Sequence, residues 1–235
     1  MRLTRYKLLV AAVNTVAYGT DAVAAGGGLA MLTSNLAITP LEGDSLDRPL
    51  DDGELGAKPQ LMVNTHVKIT GYIEVAGAGT SDAIPPYFPV LAAAGYQANS
   101  DSDHVDIARP TNAGQEDDAA FYCYLDGVVH KVTGARATFS TMIKVGEIPR
   151  REFEITGLFK GYDTSNAIPA ADFSNFQMPS KVGHVHTTLK INNVEHKMLD
   201  FSIVENNEIV YDENTVDEQV YLTDYAIEGS MVIEA

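Results

Sequence analysis

The sequence predicts a mainly β protein, an antiparallel β-sandwich or barrel carrying one short α-helix. Three observations predict it. Apolar and polar residues alternate with a period of two from Leu61 to Val75. From Ala119 onward, short apolar-rich runs are separated by turn signals: Asp126-Gly127, Gly146 with Pro149, Asn192-Asn193, and Glu205 to Glu208 around a second Asn-Asn pair. Only one stretch, Tyr87 to Tyr96, has the composition of a helix with a start and a stop. The 235 residues, 45% of them hydrophobic and 20% charged, fit one soluble globular domain with a sizeable core.

Taken in order, "MRLTRYKLLVAAVNTVAYG" places Arg2, Arg5 and Lys7 before the apolar run Leu8 to Val13. That run is shorter than the roughly seven to fifteen residues of an export signal and far shorter than the roughly twenty of a membrane span. It reads as an ordered or docking arm, residues 1–39. The segment "GTDAVAAGGGLAMLTSNLAITP" is small and Gly-rich, and "LEGDSLDRPLDDGELGAKPQ", residues 41–60, is acidic and turn-prone. Neither shows a core pattern. Patternless stretches longer than about fifteen residues are uncommon inside a domain, so these predict contact with something outside it.

Residues 61–235 are read as the β core. In the first strand, Leu61, Val63, Val67, Ile69, Ile73 and Val75 share one face, while Asn64, His66, Lys68, Thr70 and Glu74 share the other. "GAGTSD", Gly77 to Asp82, lacks the third glycine and the lysine of a phosphate-binding loop and reads as a plain turn. In "PPYFPVLAAAGY" proline suits a first helical turn, Ala92 to Ala94 favour helix, and Gly95 suits its end. "QANSDSDHVDIARPTNAGQEDD" reads as loop with one brief extended piece. Strands follow at Ala119–Leu125, Val128–Val132, Ala135–Val145, Glu152–Phe159, His184–Ile191 and Val194–Val204, with two more near Ile209 and over Gln219–Glu234.

Charge and reactive residues narrow the function. Sixteen Lys plus Arg against 32 Asp plus Glu give a net charge of −16, a field that repels phosphate backbones and argues against conventional nucleic-acid binding. The single cysteine forms no internal disulfide. A two-residue Asp126-Gly127 loop sets Cys123 opposite His130, within reach of a thiol–imidazole contact. Phe121, Leu125, Val128 and Val132 share that face, and apolar surroundings raise a thiol's pKa, so core packing is the better reading. His184 and His186 share a strand face and would bind a metal with a third ligand such as His196, but the Asn192-Asn193 turn pairs His196 with Leu189, on the opposite face, which leaves a two-histidine site completed by a distant carboxylate as the metal reading. The pairs Asp51-Asp52, Asp117-Asp118 and Glu152/Glu154 read as solvated carboxylates in loops or on wet strand faces.

Along the chain stand, in order, "AYGTD", "LAITPLEGDSLDRPL", "VKITGYIEVAGAGT", "PPYFPVLAAAGY", "LDGVVHKVTGARATFSTMIKVGEIPRREFEITGLF" and "PAADFSNFQMP". From about Tyr6 to Pro179 this order closely resembles the major tail tube proteins of long-tailed bacteriophages with non-contractile tails. The resemblance implies a structural virion protein, assembled in host cytoplasm, without catalysis, cofactor, metal or membrane anchor. Its copies would form hexameric rings stacked into a tube for DNA ejection, meeting the tape measure protein, the tail terminator and tail-tip or baseplate proteins. It implies strands contributed to a continuous inner barrel, with the arm and the 41–60 loop reaching neighbouring rings; Asp44, Asp47, Arg48, Asp51, Asp52 and Glu54 are the loop candidates. Lys68, Glu74, Ser140, Lys144, Glu152 and Glu154, on the wet faces of the longest strands, are the candidates to line the lumen. Six copies at −16 each bring −96 to a ring, so DNA would pass without specific binding. Two other classes compete: a β-sandwich adhesion or carbohydrate-binding module, for which the absence of Trp is unfavourable, and an enzyme using Cys123/His130 or a metal at His184/His186.

Overall fold

The computed structural model describes residues 6–234 apart from 49, 51–52, 54–55, 57, 112–113, 115 and 165–167. The protein is mainly β and antiparallel. Its main sheet runs β2 (Leu29–Met31), β1 (Lys7–Asn14), β7 (Asp118–Leu125), β8 (Val128–Lys144), β9 (Arg150–Asp163), β4 (Leu61–Glu74), β3 (Ser34–Leu46). The far half of β8 carries a second neighbour, β11 (Val194–Val204), through Ser140–Lys144, and β11 carries β10 (Leu189–Ile191) and β14 (Glu228–Glu234). Two hairpins lie apart from this sheet: β5 (Gln97–Ser100) with β6 (Val105–Ala108), and β12 (Asn207–Glu213) with β13 (Glu218–Tyr225).

Although β2 and β3 stand at opposite ends of the seven-strand path, only Leu32 and Thr33 separate them in sequence. Three peptide steps span at most about 11 Å, so the sheet must curl until its two ends are close. The ends are not hydrogen-bonded to each other, which makes the fold sandwich-like and not a closed barrel.

Helix α1 (Phe88–Ala93) fills the inside of the curl. Pro89 sits in its first turn, where no intrahelical N–H is required, and Gly95 leaves its end at φ +89°, a left-handed conformation open to glycine. Val90, Leu91, Ala93 and Ala94 pack against Leu9, Ile69, Ile73, Phe121, Val132, Phe139, Phe153 and Ile155. A smaller cluster of Leu8, Val10, Tyr122 and Val129 lies on the outer face of β1 and β7 under Val23, Ala30, Ile168 and Phe173. Leu8 to Ala12 are therefore buried on both faces, as a continuous apolar run in a central strand requires. This corrects the expectation for the arm: residues 7–14 are a core strand, and residues 34–39 belong to β3.

Other elements differ from expectation for similar reasons. Leu41–Leu46, read as loop, continues β3, because β4 supplies a partner along this length. Beyond Val67, β4 has no β9 neighbour, so residues 61–66 form a two-stranded ribbon with β3. Asn64 at φ +55° and the β3 bulges break the alternation there, leaving Leu61 exposed instead of in the core, beside the exposed Met62. Val128–Val132 and Ala135–Val145 form one strand with an irregularity at Gly134, where a Cβ would stand 2.7 Å from the Tyr18 hydroxyl. The Gln219–Glu234 stretch breaks into β13 and β14, and only Leu189–Ile191 of the expected His184–Ile191 strand is extended. The two dipeptide turns behave as predicted: Asp126-Gly127 and Asn192-Asn193 all have positive φ, and Cys123 pairs with His130 and Ile191 with Val194. Among the described residues no helix is long and apolar enough to cross a membrane.

Candidate self-assembly surface

Period-two alternation in β4, β8 and β9 sends Ile69, Ile73, Phe139, Phe153 and Ile155 inward toward α1 and the intervening residues outward. Registration aligns the outward residues in rows: Thr138, Glu154 and Thr70; Ser140, Glu152 and Tyr72; Met142, Arg150 and Glu74. Lys144 continues the row in β8 opposite Asp200 of β11, and Lys68 continues it in β4 opposite Thr156. Lys68, Glu74, Ser140, Lys144, Glu152 and Glu154 therefore share one sheet face.

On that face the cations are tied to carboxylates. Lys68 Nζ lies 3.1 Å from Glu42 Oε1 and 3.6 Å from Glu154 Oε1, and the hydrogen bond to Glu42 raises its pKa. One ammonium is outnumbered there by two carboxylates. Tyr72 donates to Glu152 at 3.0 Å. Lys144 and Arg150 share Glu147 at 3.6 Å and 3.5 Å.

The face is divided by the β12–β13 hairpin, which alternation within single strands did not reveal. Tyr211 of β12 stacks on His66 with ring centroids 5.4 Å apart, and the cleft beneath is lined by Glu42, Lys68, Thr138, Glu154 and Asp212. Lys68 and Glu154 thus wall a cleft, whereas Glu74, Ser140, Lys144 and Glu152 lie outside it. Sequence reading also left out Tyr72, Met142, Arg150 and Ser202, although the same parity places the first three on this face.

The extended sheet has open outer strands, β3 and β14 among them. β3 pairs only with β4, and β14 only with β11. Every described residue of β14 is exposed, including Met231, Val232 and Ile233, and neither proline nor lysine guards that edge. Among the loop candidates, Asp44 lies in β3 opposite Val63 and accepts a hydrogen bond from Asn64 at 3.1 Å. Asp47 accepts from Gln60, and Arg48 is exposed. Asp51, Asp52 and Glu54 lie outside the described residues.

The alternative chemical sites are placed as follows. Cys123 is fully buried, and burial pushes its thiol up to about 12, so it stays protonated near neutral pH. His184 and His186 stand in a turn closed by the His186 N–H on Gly183 O at 3.0 Å, not on a shared strand face. Among the described residues no group of three or more His, Cys, Asp or Glu is placed to hold a metal ion. Asp118 is not a wet carboxylate: it is buried, accepts from Asn14 at 2.9 Å and from the Gly19 N–H at 3.2 Å, and burial raises its pKa.

One polar cluster had no sequence signal. Arg109, in a stretch read as loop, lies 2.9 Å from Glu205, donates to Asn207 at 2.6 Å, and has its guanidinium 4.8 Å and 4.1 Å from the ring centroids of Tyr96 and Tyr225. Asn207 donates in turn to the carbonyls of Ala94 and Ala137 at 3.1 Å and 2.7 Å. These contacts fasten the β12–β13 hairpin to the end of α1 and to β8.

The fold and this surface define a mainly β, antiparallel, sandwich-like protein whose sheet has open outer strands, β3 and β14 among them. No protein-family model matches the chain, and no curated protein matches it significantly.

Proposed function

We propose that this chain is a structural subunit of a phage tail tube, polymerising as stacked hexameric rings into the conduit through which DNA is ejected. The observation that carries the reading is the pairing of two open outer strands, β3 and β14, with the polar sheet face that lies between them. Strand edges with free N–H and C=O groups are satisfied when another copy adds its own edge, and repetition around an axis closes a ring. The ordered segments "AYGTD" through "PAADFSNFQMP" support the same reading by resemblance. On it, Glu74, Ser140 and Glu152 face the lumen, and the carboxylates of Glu74 and Glu152 repel the passing phosphates. Tape measure, terminator and tail-tip or baseplate proteins are the other partners. The place of action is the virion, after assembly in host cytoplasm, and no catalysis is involved.

Negative-stain electron microscopy of the concentrated protein tests this. Hollow tubes or six-fold rings are the expected result. Monodisperse monomers at every concentration would overturn it.

A further inference from the structure

The β12–β13 hairpin ends in an apolar side chain on a fixed, acidic tip. Asn214 Oδ1 accepts from the N–H groups of Val216 and Asp217 at 2.8 Å and 3.1 Å, and the Asn214 N–H donates to Asp217 O at 3.0 Å. The turn so fixed leaves Val216 90% exposed. A single exposed valine is ordinary on a protein surface. This one stands at the end of a projecting hairpin, and from Asn207 to Asp224 the chain holds six carboxylates and no lysine or arginine.

The opposite balance is found around Lys181 to Met198, where three lysines and three histidines accompany one carboxylate, Glu195. Glu234 adds a second by lying 3.4 Å from Lys197. This stretch and Val145 enclose a pocket of about 450 Å³, ample for a valine side chain. Val145, Val182, Leu189 and Met198 line it, together with His184, His196 and Lys197. It therefore joins apolar side chains to basic ones, the complement of an apolar tip among carboxylates.

Tip and pocket lie at opposite ends of β9. Glu218, at the tip, is 3.0 Å from Lys160. The pocket adjoins the β8–β9 turn, where Gly146 donates to Val182 O at 2.9 Å and Val145 to Leu199 O at 3.1 Å. From Arg150 at that turn to Lys160 is roughly 33 Å at strand rise. The contacts of Arg109 and Asn207 also fasten the base of the hairpin to α1 and β8. A tip held in this way does not reach the pocket of its own chain.

We infer that the Val216 tip of one copy seats in the pocket between Val182 and Met198 of a second copy, its carboxylates against the lysines and histidines there. Tip and pocket are unlike surfaces, so a copy that receives a tip still offers its own, and the contact repeats without closing on a pair. Apolar insertion supplies the affinity, and opposite charge the orientation. The inference goes beyond the tube reading. It uses residues 182–224, outside the stretch that resembles tail tube proteins, and holds for any open assembly of the chain.

Cysteine cross-linking of the full chain tests this, since the native Cys123 is fully buried. Val216→Cys and Thr188→Cys, both at exposed positions, are made separately and together. Under mild oxidation an equimolar mixture of the two single variants is expected to give a disulfide-linked dimer at least tenfold more abundant than either gives alone. The double variant should give a ladder of trimers and larger species on non-reducing gels. Val216→Asp, at a site with no packing to lose, should lower self-association by light scattering at least tenfold, while Val216→Ile retains it. No gain of cross-linked species over the single variants, or Val216→Asp associating like wild type, would overturn the inference even where rings or tubes form. A ladder from protein that forms neither rings nor tubes would uphold this contact and overturn the tube reading.

Discussion

Replacing Asn207 with alanine removes three hydrogen bonds from a residue that is 9% exposed: donation to Ala94 O and to Ala137 O, and acceptance from Arg109. Each neutral bond contributes about 0.5–1.5 kcal/mol and the charge-assisted one about 1.5–3 kcal/mol, so the loss is about 2.5–6 kcal/mol. Arg109 keeps Glu205 at 2.9 Å and its two aromatic neighbours, so the cation is not stranded. With a urea m-value of roughly 3 kcal/mol per molar, the unfolding midpoint falls by about 0.8–2 M. Asn207→Asp keeps the acceptor for Arg109 but turns a carboxylate oxygen toward two carbonyls, and should cost more than alanine. Urea unfolding followed by far-UV circular dichroism and by tyrosine fluorescence measures this. The reasoning fails if the midpoint moves by less than about 0.3 M, or if the variant loses signal in a separate early transition while the main midpoint stays in place. Either outcome would mean that the β12–β13 hairpin is not joined to the main core through Asn207.

Four further outcomes are expected. Cys123→Ala removes one sulfur from a packed site, costs about 1–2 kcal/mol by chemical denaturation, and leaves tube formation unchanged in electron micrographs. Because burial raises the Cys123 pKa from 9.0 to about 12, the unfolded chain ionises first, and this thiol's contribution is complete below pH 9 and declines between pH 9 and 12. Stability should accordingly fall more shallowly over that range in Cys123→Ala than in wild type, by roughly one kcal/mol per pH unit; equal slopes would show that the thiol is not buried. Val232→Pro takes a hydrogen-bond donor from β14 and should lower ring assembly at least tenfold by light scattering while the monomer retains its circular dichroism spectrum. Glu74→Lys combined with Glu152→Lys should slow genome ejection from virions whose tubes still form, and unchanged ejection would remove both residues from the lumen.

Much of the local structure was legible because its causes are local. Asp126-Gly127 and Asn192-Asn193 supply two consecutive residues that tolerate positive φ, and this sets the registers Cys123 to His130 and Leu189 to His196. Alternation from Val67 to Glu74 determined which residues of β4 face out, and parity in β8 and β9 did the same for their part of the surface. The turn at His184 to His186 was less accessible, since the Gly183 carbonyl that closes it competes with an extended path of similar composition.

By itself, then, the sequence determined the net negative charge, and also the strand period, the tight turns and helix α1, each set by residues a few positions apart. Tertiary structure decided whether an apolar run is an arm or a core strand. Leu8 to Ala12 became a strand because residues 118–125 pair with it and residues from 21–30 and 168–173 cover its outer face. It also decided where the polar face is open, through the contacts from Asn207 to residues 70 and 113 positions away, and from Arg109 to a residue 96 positions away. Such contacts depend on chain closure over long separations, which no local pattern of residues encodes.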